Sequence, residues 1–218
     1  MHKTVNNLIS IQNQLKELDF KNEEDPQIIA VSKTFSIDNI NPLIIHGHKH
    51  FGENKIQEAV DKWTLIKSEN PEIKLHMLGK IQTNKVKFLF PLFDYIHSLD
   101  SLKLAEKIAL EQIKKNKNIK IFIQINLANE SQKSGIVKNS LENFYKECKE
   151  NFKLNIIGLM CLPPVNEDPE KYFSELQQLA SSLSLEKLSM GMSNDYLKAA
   201  KCGSNFLRIG SNIFGSRN

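Results

Sequence analysis

The chain has 218 residues, of which 40% are hydrophobic and 25% charged, and its formal net charge is +4. That length suits one domain or two small ones, and no run of about 18 apolar residues is present to span a bilayer. The mild basic excess falls short of the dense cationic surface of a nucleic-acid binder.

The N-terminal MHKTVNNLIS lacks a signal-peptide core, which points to a cytoplasmic protein. Residues 3–18 space Val5, Leu8, Ile9, Gln12 and Leu15 for one buried helical face. IIAVS (28–32) reads as the first strand. In the next stretch, Pro42 argues for a helix that breaks there or begins there, capped by Asn41. HFGE (50–53) is the second strand, and NKIQEAVDKWTLIKS (54–68) lines up Ile56, Ala59, Val60, Trp63 and Ile66 as an amphipathic helix. KLHML (74–78) and YIHSL (95–99) are strands three and four, and a helix over 101–115 takes Ser101 as its N-cap.

IKIFIQIN (119–126), LNIIGLM (154–160), EKLSM (186–190) and NFLRIG (205–210) are strands five to eight. Helices over 139–150, 168–183 and 193–203 separate the last four. Pro169 sits at a first helical position and Gly203 at a C-terminal cap. The cysteines Cys148, Cys161 and Cys202 are scattered with no C-x-x-C spacing, as reduced thiols would be.

Strands alternating with helices over the whole length, without a linker or repeat, imply parallel strands with right-handed crossovers. Eight strands close a single (β/α)8 barrel over residues 1–218. Too few residues follow the last strand for a full helix, so the N-terminal helix is expected to cover the eighth position. An open doubly wound sheet is the rival, and it requires a reversal of strand order.

In a barrel, chemistry gathers at the C-terminal strand ends. Strand one ends at Lys33, strand two at Glu53 and Asn54, strand seven in SMGMSND and strand eight in RIGSNIFG. Gly191 and Ser193, with Gly210 and Ser211, supply close backbone approach and hydroxyls at adjacent ends, as a phosphate site requires. Gly-Ser turns also end strands for purely structural reasons. A lysine desolvated in a barrel mouth loses its charge more readily and condenses with an aldehyde to a Schiff base. A lysine facing a phosphate cup fits pyridoxal 5'-phosphate, which carries an aldehyde and a phosphate on one ring. Arg208, two residues before Gly210, would then keep the pyridine nitrogen unprotonated.

These segments together resemble the pyridoxal 5'-phosphate homeostasis protein family. AVSKT, HFGENKIQE, LHMLGKIQTNK, KSGI (133–136), GLM, LSMGMSND and RIGSNIFG follow one another in the family's order from about residue 28 to 217. The resemblance implies an alanine-racemase-like barrel, Lys33 as the Schiff-base residue, and Ser193, Gly210 and Ser211 on the phosphate. It places Arg208 at the pyridine nitrogen, Asn54 near the cofactor and His76 lining the pocket. It implies a cofactor holder in vitamin B6 balance and amino/keto-acid metabolism, without an accepted catalytic activity.

Related racemases add a β-rich second domain carrying an opposing base, whereas this chain ends just after strand eight. A lysine-bound cofactor lacking that base is a holder before it is a catalyst. A small racemase-like enzyme and a cofactor-free Schiff-base aldolase are the alternatives. Partners are then pyridoxal phosphate and possible recipient apo-enzymes, with no nucleic acid, no membrane and a monomeric chain. Glu53 and Asp195 fit acid–base groups or structural caps. Lys55, Lys80, Lys85 and Lys133 are solvated charges or second acceptors of the cofactor. HGHKH (46–50) falls at the barrel floor and reads as a polar loop more readily than as a metal site.

Overall fold

The computed structural model describes residues 2–18, 25–130, 132 and 134–216. Its strands are β1 (Gln27–Val31), β2 (His50–Glu53), β3 (Lys74–Met77), β4 (Tyr95–Leu99), β5 (Lys120–Ile125), β6 (Ile156–Cys161), β7 (Lys187–Met192) and β8 (Phe206–Ile209). All pair in parallel, in sequence order, and β1 closes on β8. The helices are α1 (Lys3–Lys16), α2 (Ile37–Ile45), α3 (Ile56–Glu69), α4 (Leu102–Lys115), α5 (Leu141–Lys146), α6 (Pro169–Ser182), α7 (Tyr196–Lys201) and α8 (Ser211–Phe214). The (β/α)8 barrel expected from the alternation is the fold observed. Among the described residues, no helix is long and apolar enough to cross a membrane.

Period-two alternation sorts each strand into two faces. Outward residues such as Leu75, Ile121, Ile123 and Leu207 join the main core beneath the helices, while Ile29, Tyr95, Phe122, Met160 and Phe206 form a separate cluster that fills the barrel. Polar side chains share that interior: His76, His97 and Ser189 are fully buried and Arg208 nearly so. His76 stacks on Tyr95 at 4.2 Å between ring centroids, and His97 stacks on Phe122 at 4.5 Å.

The helix ends follow local chemistry. Ser101 caps α4 by accepting from the Leu104 N–H, Pro169 opens α6 behind the Asp168 cap, and Gly203 takes a left-handed φ of +87° just past α7. Two expectations are corrected. α2 starts at Ile37 and runs through Pro42. Burial of Ile40 and Leu43 on one face, worth about 1.5–3 kcal/mol each, offsets the hydrogen bond that the proline lacks. On α1 the buried face is Val5, Leu8, Ile11 and Leu15, with Gln12 exposed. The third crossover, where no helix was read from the sequence, carries a 3-10 helix, Thr83–Phe88.

α1 packs against α2, α7 and α8, filling the position that the short α8 leaves open. Asn7 Nδ2 donates to the Ile213 carbonyl at 2.9 Å across that junction. Leu8 is 1% exposed, so Leu8→Ala should cost about 2–5 kcal/mol in urea unfolding. A loss below about 1 kcal/mol would mean that α1 is not part of the cooperative barrel.

Candidate functional site

A cavity of about 530 Å³ opens at the C-terminal mouth of the barrel, and Lys33, Asn54, Ser193, Arg208, Gly210 and Ser211 all line it. Six of the seven residues that the resemblance assigns to the cofactor thus meet at one place. Its apolar wall, which the sequence did not reveal, includes Val31, Phe35, Met160, Leu162 and Met192. Phe35 stacks on Phe214 with centroids 4.8 Å apart, tying the β1 and β8 loops together.

Lys33 follows β1 in a segment held from behind. Ser32 Oγ donates to Glu53 Oε1 at 2.7 Å, Lys62 Nζ donates to the Ser32 carbonyl at 3.0 Å, and the Thr34 N–H donates to Glu58 Oε1 at 2.5 Å. Lys62 also bridges Glu53 and Glu58, 3.0 Å from each. Thr34 has φ +70°, a left-handed conformation that costs a branched residue about 1–3 kcal/mol and needs such support. Burial works against the charge on Glu58, but the Thr34 N–H and Lys62 outweigh it and hold the carboxyl below its usual range.

Glu53 is therefore no acid–base group of the cavity. It points outward from β2, fully buried, and its Oε1 also accepts from Trp63 Nε1 at 2.9 Å. Asp195 Oδ1 accepts from the Met192 N–H at 2.6 Å and serves as a turn cap. The Glu58–Lys62 pair is visible in sequence as an i,i+4 spacing. Its reach to Ser32 is not, because that depends on how α3 packs on β2.

Asn54 is fixed by close approach: a Cβ on Gly79 would stand 2.1 Å from the Asn54 carbonyl oxygen, so only glycine fits. At the other side of the mouth the turns after β7 and β8 are joined. Ser193 Oγ accepts from the Gly210 and Asn212 N–H groups at 3.3 and 3.4 Å, and Asn212 Nδ2 donates to the Ser193 carbonyl at 2.8 Å. Two backbone donors thus converge on one oxygen position. A Cβ on Gly210 would meet only Val31 at 3.6 Å, an ordinary contact, so the fold itself does not require glycine there.

Arg208 rises from the interior face of β8 to the cavity floor. Its Nη1 donates to Ser189 Oγ at 2.6 Å and its Nη2 to the Cys161 carbonyl at 2.9 Å. Burial pulls its pKa down to about 10, so it is charged at neutral pH. The Cys161 thiol is buried and pushed up to about 12, principally by desolvation.

His76 departs from the expectation. It does not line the cavity; it lies deeper in the barrel, 2.9 Å from His97 and 3.0 Å from His50. Position 76 shares the inward parity of β3, but it is one layer too low. His46, His48 and His50 stand at the opposite, N-terminal mouth, where His50 turns its ring into the barrel. Lys55, Lys80 and Lys85 do not line the cavity, and Lys133 lies outside the described residues.

A family model described as the N-terminal domain of alanine racemase matches residues 7–218. A pyridoxal phosphate homeostasis protein of Pasteurella multocida is 33% identical over 205 residues, covering 89% of this chain and 88% of that protein. The chain belongs to the pyridoxal phosphate homeostasis protein family. The family's protein from Helicobacter pylori is 38% identical over 194 residues, 86% of either chain. Among solved structures, PipY of Synechococcus elongatus with PLP bound is similar with a TM-score of 0.87 and 29% identity, over 97% of this chain and 100% of that one. Alanine racemase of Corynebacterium glutamicum shares the fold alone, with a TM-score of 0.71, 14% identity and coverage of 99% of this chain and 60% of that one.

Two outcomes follow from this network. Lys62→Met should lower stability by about 3 kcal/mol or more, because it leaves buried carboxylate oxygens without their cation. It should also speed hydrogen exchange at the Thr34 amide; unchanged exchange would show that the clamp does not hold the Lys33 segment. Burial lowers His48 and His50 to about 4, and His76 and His97 well below their usual value. The unfolded chain therefore binds protons that the folded chain refuses, and stability should fall as pH drops from about 6.5 toward 4. A melting temperature that is flat from pH 6.5 to 5, above the carboxylate range, would contradict this.

Proposed function

We propose that this chain holds pyridoxal 5'-phosphate in the C-terminal mouth, bound covalently through Lys33, and serves pyridoxal phosphate homeostasis. Its relatives are named for that role, and PipY is described with PLP bound. When bound, the cofactor supplies an aldehyde that reacts with a lysine amine and a ring that withdraws electrons. Every other contribution belongs to the chain. Lys33 offers the amine on a segment clamped by Lys62, Glu53 and Glu58. Ser193 Oγ accepts from the Gly210 and Asn212 N–H groups, so its own hydroxyl hydrogen, with that of Ser211, is left to donate to a phosphate. Asn54 would help hold the ring and Arg208 would face its nitrogen. The guanidinium has donors only, so it withholds a proton from that nitrogen.

One observation favours holding over turnover. Among the described residues, the titratable side chains lining the cavity are Lys33 and Arg208. Among the described residues, no carboxylate, imidazole, phenol or thiol lines the cavity opposite Lys33 to exchange a substrate proton, as a racemase needs. The chain then acts as a cytoplasmic monomer that shields the cofactor and passes it to recipient apo-enzymes, with effects on amino-acid and keto-acid balance.

Adding pyridoxal phosphate should produce an absorbance band near the visible edge, and borohydride should fix the adduct on Lys33, located by peptide mass spectrometry. Lys33→Ala should lose both. Exchange of amino-acid α-protons in heavy water at rates on the order of 1 per second or faster would instead favour the racemase reading. Binding of sugar phosphates without any response to pyridoxal phosphate would favour an aldolase. Gly210→Ala should leave stability unchanged or raise it by about 0.5 kcal/mol, yet weaken pyridoxal phosphate binding about tenfold, a steric penalty of about 1.4 kcal/mol. Undiminished affinity would remove Gly210 from the phosphate contact.

A further inference from the structure

Beneath the cavity a continuous line of polar side chains runs through the barrel. Arg208 Nη1 meets Ser189 Oγ at 2.6 Å, Ser189 Oγ meets His97 Nδ1 at 2.8 Å, His97 Nε2 meets His76 Nδ1 at 2.9 Å, and His76 Nε2 meets His50 Nδ1 at 3.0 Å. Ser189, His97 and His76 are all 0% exposed, and His50 reaches the cavity at the N-terminal mouth.

Hydrogen counting fixes the direction of this line. A guanidinium can only donate, so Ser189 Oγ accepts from it. The single hydroxyl hydrogen of Ser189 then needs an acceptor, and His97 Nδ1 is the other partner in reach. With Nδ1 bare, a neutral His97 carries its hydrogen on Nε2 and donates it to His76 Nδ1. The same step repeats from His76 to His50. The reverse direction would put two donors on Ser189 Oγ and strand its hydrogen in a fully buried place, which costs more than a typical hydrogen bond returns. It would also aim the positive ends of the imidazole dipoles at a guanidinium. An imidazolium at His76 or His97 would place two donors nose to nose.

We propose that Ser189, His97, His76 and His50 are positioning residues for Arg208: a neutral, one-directional hydrogen-bond chain that holds the guanidinium at the cavity floor. Acceptor ends face the cation along the whole line, so no carboxylate is needed beside it, and the positive charge stays undivided for whatever lies above. Its effect on cofactor binding rests on the reading that pyridoxal phosphate sits over Arg208; the direction of the chain does not.

Long-range proton–nitrogen correlation spectra of the wild-type protein at pH 7 should show His50, His76 and His97 each with a protonated Nε2 and a bare Nδ1. Two variants then separate positioning from packing. His97→Phe keeps the stack on Phe122 but removes the acceptor, and should weaken pyridoxal phosphate binding about tenfold. His97→Asn places an amide oxygen near the Nδ1 position and should restore most of that loss, which a merely structural role would not predict. A bare Nε2 or an imidazolium on any of the three rings overturns the proposal, as does undiminished affinity in His97→Phe. Should His97→Phe fail to fold, the wild-type spectrum still decides. Wild-type protein that shows the expected tautomers but ignores pyridoxal phosphate would refute the cofactor reading and leave the chain standing.

Discussion

Four backbone partners join β1 to β8, from Gln27 with Phe206 to Ala30 with Ile209. Without that closure, Lys33 and Arg208 would sit at opposite ends of the chain. The register sets Ile29 beside Arg208, so the lysine segment leaves β1 on the same rim where the Gly210 turn leaves β8. Every feature of the site depends on this pairing. The paired turns behind Ser193 and Gly210 stand next to the lysine because the strands that carry them are neighbours in a closed ring.

The two strand faces then divide the labour. Outward from β2, Glu53 meets Lys62 and Trp63 and steadies the backbone on which Lys33 is mounted. Inward from β7 and β8, Ser189 and Arg208 meet a line of imidazoles. In both places the buried charge has hydrogen-bond partners, at Glu53 through Oε1 while Oε2 has none, and these make it tolerable in a low-dielectric interior. The groups that touch the cavity are thereby supported from two independent directions.

The strand ends were legible in the sequence because glycine, serine and lysine interrupt apolar runs there. Ser101 and Pro169 were legible because caps are local. What stayed hidden depends on packing. A barrel strand is apolar on both faces, so alternation in KLHM shows that His76 and Leu75 point opposite ways but not how deep His76 lies. Pro42 was misread because the burial of Ile40 and Leu43 that overrides it comes from other elements. Asn54, at the end of the second strand, lies on the cavity wall, whereas His76 sits one layer lower among His97 and His50.

Arg208 leans on the main chain of residue 161 and not on its sulfur. That thiol, and the buried one at Cys148, are both pushed to about 12 and carry almost no thiolate at neutral pH. Peroxides and alkylating agents attack the thiolate, so these two positions are chemically quiet. The place where the arginine is anchored therefore offers no nucleophilic sulfur, and peroxides have no direct handle on it there.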